Sequence, residues 1–103
     1  MAFMKAAKLA EVPIGMVKYV EVDGEEIALC NVGGFLYAIA NVCTHDGGPL
    51  NQGSLDGYEI ECPRHGARFD IRTGKVLRMP AVLPIQSFEV RVEGDDIQIG
   101  FDD

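Results

Sequence analysis

The chain has 103 residues, 48% of them hydrophobic and 24% charged, with a net charge of −7 and a pI near 4.7. That length predicts one domain around a single core, with no room for a second, catalytic domain. The acidic balance argues against a nucleic-acid partner, whose phosphates demand a basic surface. No apolar run approaches the roughly 20 residues of a membrane span. Nor is there a basic n-region ahead of an apolar h-region, or a twin-arginine start, so a soluble cytoplasmic protein with no membrane partner is expected.

In chain order, Phe3 to Leu9 predicts a first strand and Glu11 to Gly15 a turn, because Pro13 fixes φ and Gly15 permits a reversal. Met16 to Val22 is rich in β-branched and aromatic residues and predicts a strand. Asp23-Gly24 marks a hairpin, with Glu25 to Asn31 as the returning strand. Gly33-Gly34 turns the chain into Phe35 to Ala40. Three strands at hairpin spacing predict an antiparallel meander and an all-β chain. From Cys43 to Pro49 the glycines at 47 and 48 and the proline ring preclude regular structure. Leu55 to Tyr58 predicts a tight turn, Tyr58 to Glu61 a short strand, Arg68 to Ile71 another, and Thr73-Gly74 a turn. Met79 to Pro84 holds two prolines and cannot be a central strand. Phe88 to Glu93 and Ile97 to Phe101 alternate cleanly around Gly94-Asp95, which predicts a terminal hairpin with one buried face.

The chemistry gathers at Cys43-Thr44-His45 and Cys62-Pro63-Arg64-His65, separated by sixteen residues, Asp46 to Glu61. Both histidines of the chain and two of its three cysteines lie in these clusters, which predicts that the four converge on a metal. Two thiolates and two imidazoles describe a tetrahedral structural zinc site. They also suit a two-iron cluster in which cysteines hold one iron and histidines the other. Zinc fingers pair cysteine with cysteine and histidine with histidine, whereas each half here mixes the two. Cys30, inside the apolar run Ile27-Ala28-Leu29-Cys30, reads as a buried structural thiol. Charge is uneven: five of the nine basic residues lie between Arg64 and Arg78, with only Asp70 among them. Acids crowd Glu21 to Glu26, Glu89 to Asp96 and Asp102-Asp103.

Cys43-x-His45, sixteen residues, then Cys62-x-x-His65 resembles the Rieske [2Fe–2S] motif. Cys62 to Gly66 resembles its second loop, and Gly47-Gly48-Pro49-Leu50 the first loop of the soluble members. The resemblance, to soluble Rieske ferredoxins, extends over nearly the whole chain. It implies an antiparallel β-sandwich or barrel over residues 1–103, with an inserted two-loop cluster-binding subdomain at about 41–80. It implies one [2Fe–2S] cluster, with Cys43 and Cys62 on the buried iron and His45 and His65 on the outer one. Gly47, Gly48, Gly66, Ala67 and Pro80 would surround it, and Arg64 would lie on a docking tip. The Met79 to Pro84 segment would cover the cluster.

Two departures bear on the potential. High-potential Rieske proteins carry an extra pair of loop cysteines where this chain has Gly48 and Arg64. They also carry serine and tyrosine hydroxyls where it has Ala67 and Phe69. Fewer donors stabilise added negative charge less, so the potential should fall near the low end of the roughly −150 to +300 mV Rieske range. Asp46, beside His45, would lower it further if it faces the ring. The implied partners are a flavin-containing ferredoxin reductase and a Rieske-type terminal oxygenase. With both histidines used as ligands, none remains for a two-histidine-carboxylate iron site or a Ser–His pair, so no organic substrate is expected. The alternatives are the small Rieske-like subunit of an assimilatory nitrite reductase and a zinc-stabilised interaction module.

Overall fold

A computed structural model describes residues 1–44, 47–64, 66–79, 81 and 83–101. Ten strands form two sheets, and every pairing between them is antiparallel. The larger sheet holds β1 (Ala2–Lys8), β2 (Val17–Val22), β3 (Glu25–Val32), β4 (Phe35–Ala40), β9 (Ser87–Glu93) and β10 (Asp96–Phe101) in the order β1-β10-β9-β4-β3-β2. The smaller holds β5 (Ser54–Asp56), β6 (Glu59–Glu61), β7 (Arg68–Asp70) and β8 (Val76–Arg78) in sequence order.

The expected meander is β2-β3-β4. Asp23 and Gly24, at φ +52° and +80°, supply the two left-handed positions of the β2–β3 hairpin turn. The terminal hairpin is β9-β10, with Ile97 and Ile99 buried. Three elements depart from expectation. Leu9–Glu11 ends the first strand early as a 3-10 turn, held by the Leu9 N–H on the Asp95 carbonyl (2.8 Å). Ser54–Asp56 is a strand where a turn was expected, and Val76–Arg78 is one where none was. Both are three residues long, too short to show alternation in the sequence, and are drawn into β structure by their partners in the sheet.

β3 is buried on both faces, which explains its unbroken apolar run. Ile27 and Leu29 face a core shared with Val20, Ala38, Ile97 and Ile99. Ala28 and Cys30 face a second core, shared with Ile39, Cys43, Cys62, Ala67, Phe69 and Ala81. The second core joins the small sheet to the large one, and both loop cysteines belong to it.

Gly74 and Asp70 tie these layers together at the β7–β8 turn. The Asp70 carboxylate accepts the Arg72 N–H (2.8 Å) and both arms of its guanidinium, which holds that carboxyl below its usual range. The Gly74 carbonyl accepts the Ile85 N–H (2.9 Å), so this turn is bonded to the chain just ahead of β9. No helix among the described residues is long and apolar enough to cross a membrane.

Candidate metal centre

Two loops with one hydrogen-bond pattern carry Cys43 and Cys62. In the first, the Cys43 N–H donates to the Gly48 carbonyl (2.7 Å) and the Gly47 N–H donates to the Cys43 carbonyl (2.7 Å). In the second, the Cys62 N–H donates to the Ala67 carbonyl (2.7 Å) and the Gly66 N–H donates to the Cys62 carbonyl (3.1 Å). Gly47 and Gly66 both stand at φ +77°, a left-handed position that a side chain would strain. Each loop therefore returns its cysteine to the same place relative to its own closure.

Burial does not distinguish the three cysteines, which are all at or below 1% exposure. Their backbone settings do. Cys30 lies in the middle of β3, paired with Val17 and Tyr37, and its thiol lies 4.0 Å from the Ala28 carbonyl. Burial pushes that thiol up to about 12 from 9.0. The folded chain then keeps a proton that the unfolded chain releases, so this contribution to stability is complete below pH 9.0 and is lost as pH rises toward about 12. We expect the unfolding free energy to fall more steeply between about pH 9 and 10.5 in the wild type than in Cys30→Ala, by up to roughly 1.4 kcal/mol per pH unit, with a correspondingly steeper fall of the thermal midpoint. Equal slopes in a pH series of thermal melts would refute this.

Cys43 and Cys62 instead sit in loops, in a core whose described members are all apolar. Two thiolates would be costly to bury in such a core, and a bound metal centre would offset that cost. Thiolate is also the donor that selects iron–sulfur clusters and zinc. The residues present therefore fit such a group. His45 and His65, placed by sequence two residues after Cys43 and three after Cys62, lie outside the described residues, as do Asp46 and Pro80. Ala67 and Phe69 are buried, fully enclosed beside both cysteines. Met79, Ala81, Leu83 and Pro84 form no strand, in keeping with the two prolines.

Sequence reasoning missed two supports of the cysteine loops. The Asn41 side-chain oxygen accepts the N–H groups of Leu50 (2.9 Å) and Asn51 (2.7 Å), while its amide donates to the Asn51 side chain (2.9 Å). It closes the base of the first loop. An Asn between a strand and a glycine-proline loop was the available signal. The Thr44 hydroxyl donates to the Leu83 carbonyl (2.6 Å), holding the 79–84 segment to the first loop across 39 residues of sequence, for which no local signal exists. Ala81, in the segment expected to cover the cluster, belongs to the same buried core as both cysteines.

The basic stretch from Arg64 to Arg78 is not the unopposed cluster its sequence suggests. Arg68 pairs with Asp56 (3.1 Å), Glu59 (3.5 Å) and Glu61 (2.8 Å), Arg72 pairs with Asp70 (2.9 Å), and Arg78 lies 4.0 Å from Glu61. Apart from Asp70 on β7, the opposing acids come from β5 and β6, which precede the basic stretch in sequence and lie beside β7 in the sheet. Arg64 is exposed at the second loop.

Two cysteine loops of matched geometry, folded onto one apolar core of an all-antiparallel β-protein, fit a thiolate-bound centre, whether iron–sulfur or zinc. The family model for the Rieske [2Fe–2S] domain matches residues 2–89, and the chain belongs to that family. Among its relatives is the ferredoxin component of a naphthalene 1,2-dioxygenase system from Pseudomonas aeruginosa, 42% identical over 94% of this chain and 93% of that protein. The ferredoxin of carbazole 1,9a-dioxygenase from Nocardioides aromaticivorans IC177 superposes with a TM-score of 0.91, at 36% identity, over 96% of this chain and 97% of that one. A solved complex of reduced oxygenase and oxidized ferredoxin in carbazole 1,9a-dioxygenase matches with a TM-score of 0.88, at 33% identity, over 94% of this chain and 91% of that one.

Proposed function

We propose that the chain is a cytoplasmic, low-potential Rieske ferredoxin that carries single electrons from a flavin-containing reductase to a Rieske-type terminal oxygenase. The observation that supports this most is the pair of matched loops presenting Cys43 and Cys62 to one apolar core, in a chain 42% identical to a dioxygenase ferredoxin component. Residues 1–103 act as one domain, with the cluster-bearing part at about 41–80. Cys43, His45, Cys62 and His65 hold one [2Fe–2S] cluster, which supplies storage for one electron. Gly47, Gly48, Gly66, Ala67 and Pro80 enclose it.

The chain's own residues set how readily that electron is held. Ala67 and Phe69 donate no side-chain hydrogen bond, and the surrounding core is apolar, so added negative charge gains little stabilisation. Phe69→Tyr is expected to raise the midpoint potential by about 40 mV, the one-electron equivalent of one net hydrogen bond of roughly 1 kcal/mol. A redox titration returning an unchanged or lower potential would contradict this.

The chain acts on no organic substrate of its own, because its only two histidines are placed as ligands. That ligand set, together with its relatives' identity as ferredoxin components, favours this reading over a nitrite reductase subunit and over a zinc module. Arg64 lies on the docking tip, and reversing its charge should slow transfer to the oxygenase at low salt. Reconstitution with ferredoxin reductases and terminal oxygenases of naphthalene, biphenyl and carbazole dioxygenase systems tests the function. Electron flow from reductase to at least one oxygenase that requires this protein is the expected result; none in any combination would overturn it.

A further inference from the structure

The segment between β8 and β9 turns two large apolar side chains to solvent. Met79 is 76% exposed and Leu83 is 61% exposed, whereas Ala81 between them is 1% exposed and belongs to the core that holds Cys43 and Cys62. This out-in-out alternation is fixed at two points. Ala81 is held in the core, and the Leu83 carbonyl is held by the Thr44 hydroxyl at 2.6 Å, one residue from Cys43. Leu83 is therefore tethered to the first ligand loop.

Folding does not require an apolar residue at either exposed position. The nearby charges also largely offset one another, because Arg64, Arg68, Arg72, Lys75 and Arg78 are faced by Asp56, Glu59, Glu61 and Asp70. A one-electron carrier must bring its ligand loops against an acceptor and then release it, which a small interface with an apolar centre permits.

We propose that Met79 and Leu83 form the apolar contact through which this chain docks on the terminal oxygenase; this rests on the ferredoxin reading above. Continuity with the ligand loop places the contact where an electron must leave. A second copy of this chain is disfavoured as the occupant, since two molecules of charge −7 repel.

The test uses the cluster-loaded protein and an oxygenase that the wild type reduces in the reconstitution above. Met79→Ser/Leu83→Ser is compared with Ile14→Ser, which alters a residue 70% exposed beside Gly15, whose N–H bonds to the Asn31 carbonyl at the opposite end of β3 from the ligand loops. The double variant is expected to weaken the dissociation constant for the oxygenase about tenfold or more, with the midpoint potential unchanged. The loss should change less than about twofold between low and physiological salt. A parallel loss on the reductase leg leaves the proposal standing. Oxygenase affinity equal to wild type, a loss no larger than that of Ile14→Ser, or a slower rate traced to a shifted potential would overturn it. If the wild type reduces no oxygenase, the ferredoxin reading itself fails and takes this proposal with it.

Discussion

Replacing Cys62 with serine is expected to give a colourless protein that retains less than about a tenth of the wild-type iron, while Cys30→Ala retains all of it. All three cysteines are equally buried, so the contrast rests on backbone setting alone. Cys62 sits in a loop closed by its own N–H and carbonyl, in the same arrangement as Cys43, whereas Cys30 is a strand residue with pairing on both sides. Serine would not ionise there, and its hydroxyl would replace a ligand inside an apolar core, at about 1–3 kcal/mol if left without a partner. Iron content and visible absorbance of the purified variants decide the matter. Full iron in Cys62→Ser, or iron lost from Cys30→Ala, would contradict the assignment.

Gly74→Ala is expected to be strongly destabilising. Gly74 stands at φ +83°, and a Cβ built there would collide with the Ile85 carbonyl. The backbone strain is worth about 1–2 kcal/mol and the steric displacement about 1–3 kcal/mol more. For a domain of this size the thermal midpoint should fall on the order of 10–20 °C. Gly57→Ala provides the control: its φ is +61° but nothing lies within 4 Å of a Cβ there, so only the strain remains. The damage should reach the metal centre, because Ile85 follows the segment that carries Ala81 and Leu83 to the cysteine loops. Thermal melts of both variants, with the rate of iron release to a chelator, measure this. Equal losses in the two would show that the Ile85 contact does not matter.

The legible parts of the fold are those whose cause is local. Asp23-Gly24 announces a hairpin because its two residues occupy left-handed positions, and the alternation from Phe88 to Phe101 announces a strand pair with one covered face. The mixed spacing of cysteine and histidine points to a metal centre, of which the structure describes the two cysteines and not the histidines. Illegible parts depend on partners in neighbouring strands and loops. Val76–Arg78 becomes a strand through pairing with β7, and Arg68 loses its apparent freedom to carboxylates on β5 and β6. Asn41 and Thr44 hold the site through contacts that emerge only once the loops are closed.

The central claim is tested most directly by metal and acid-labile sulfide analysis of the purified protein, joined to EPR after dithionite reduction. The account predicts two irons and two sulfides per chain, as the [2Fe–2S] family requires. It also predicts a rhombic spectrum of low mean g whose nitrogen couplings disappear on replacing His45 and His65. One zinc per chain, or a cluster spectrum without nitrogen coupling, would contradict it.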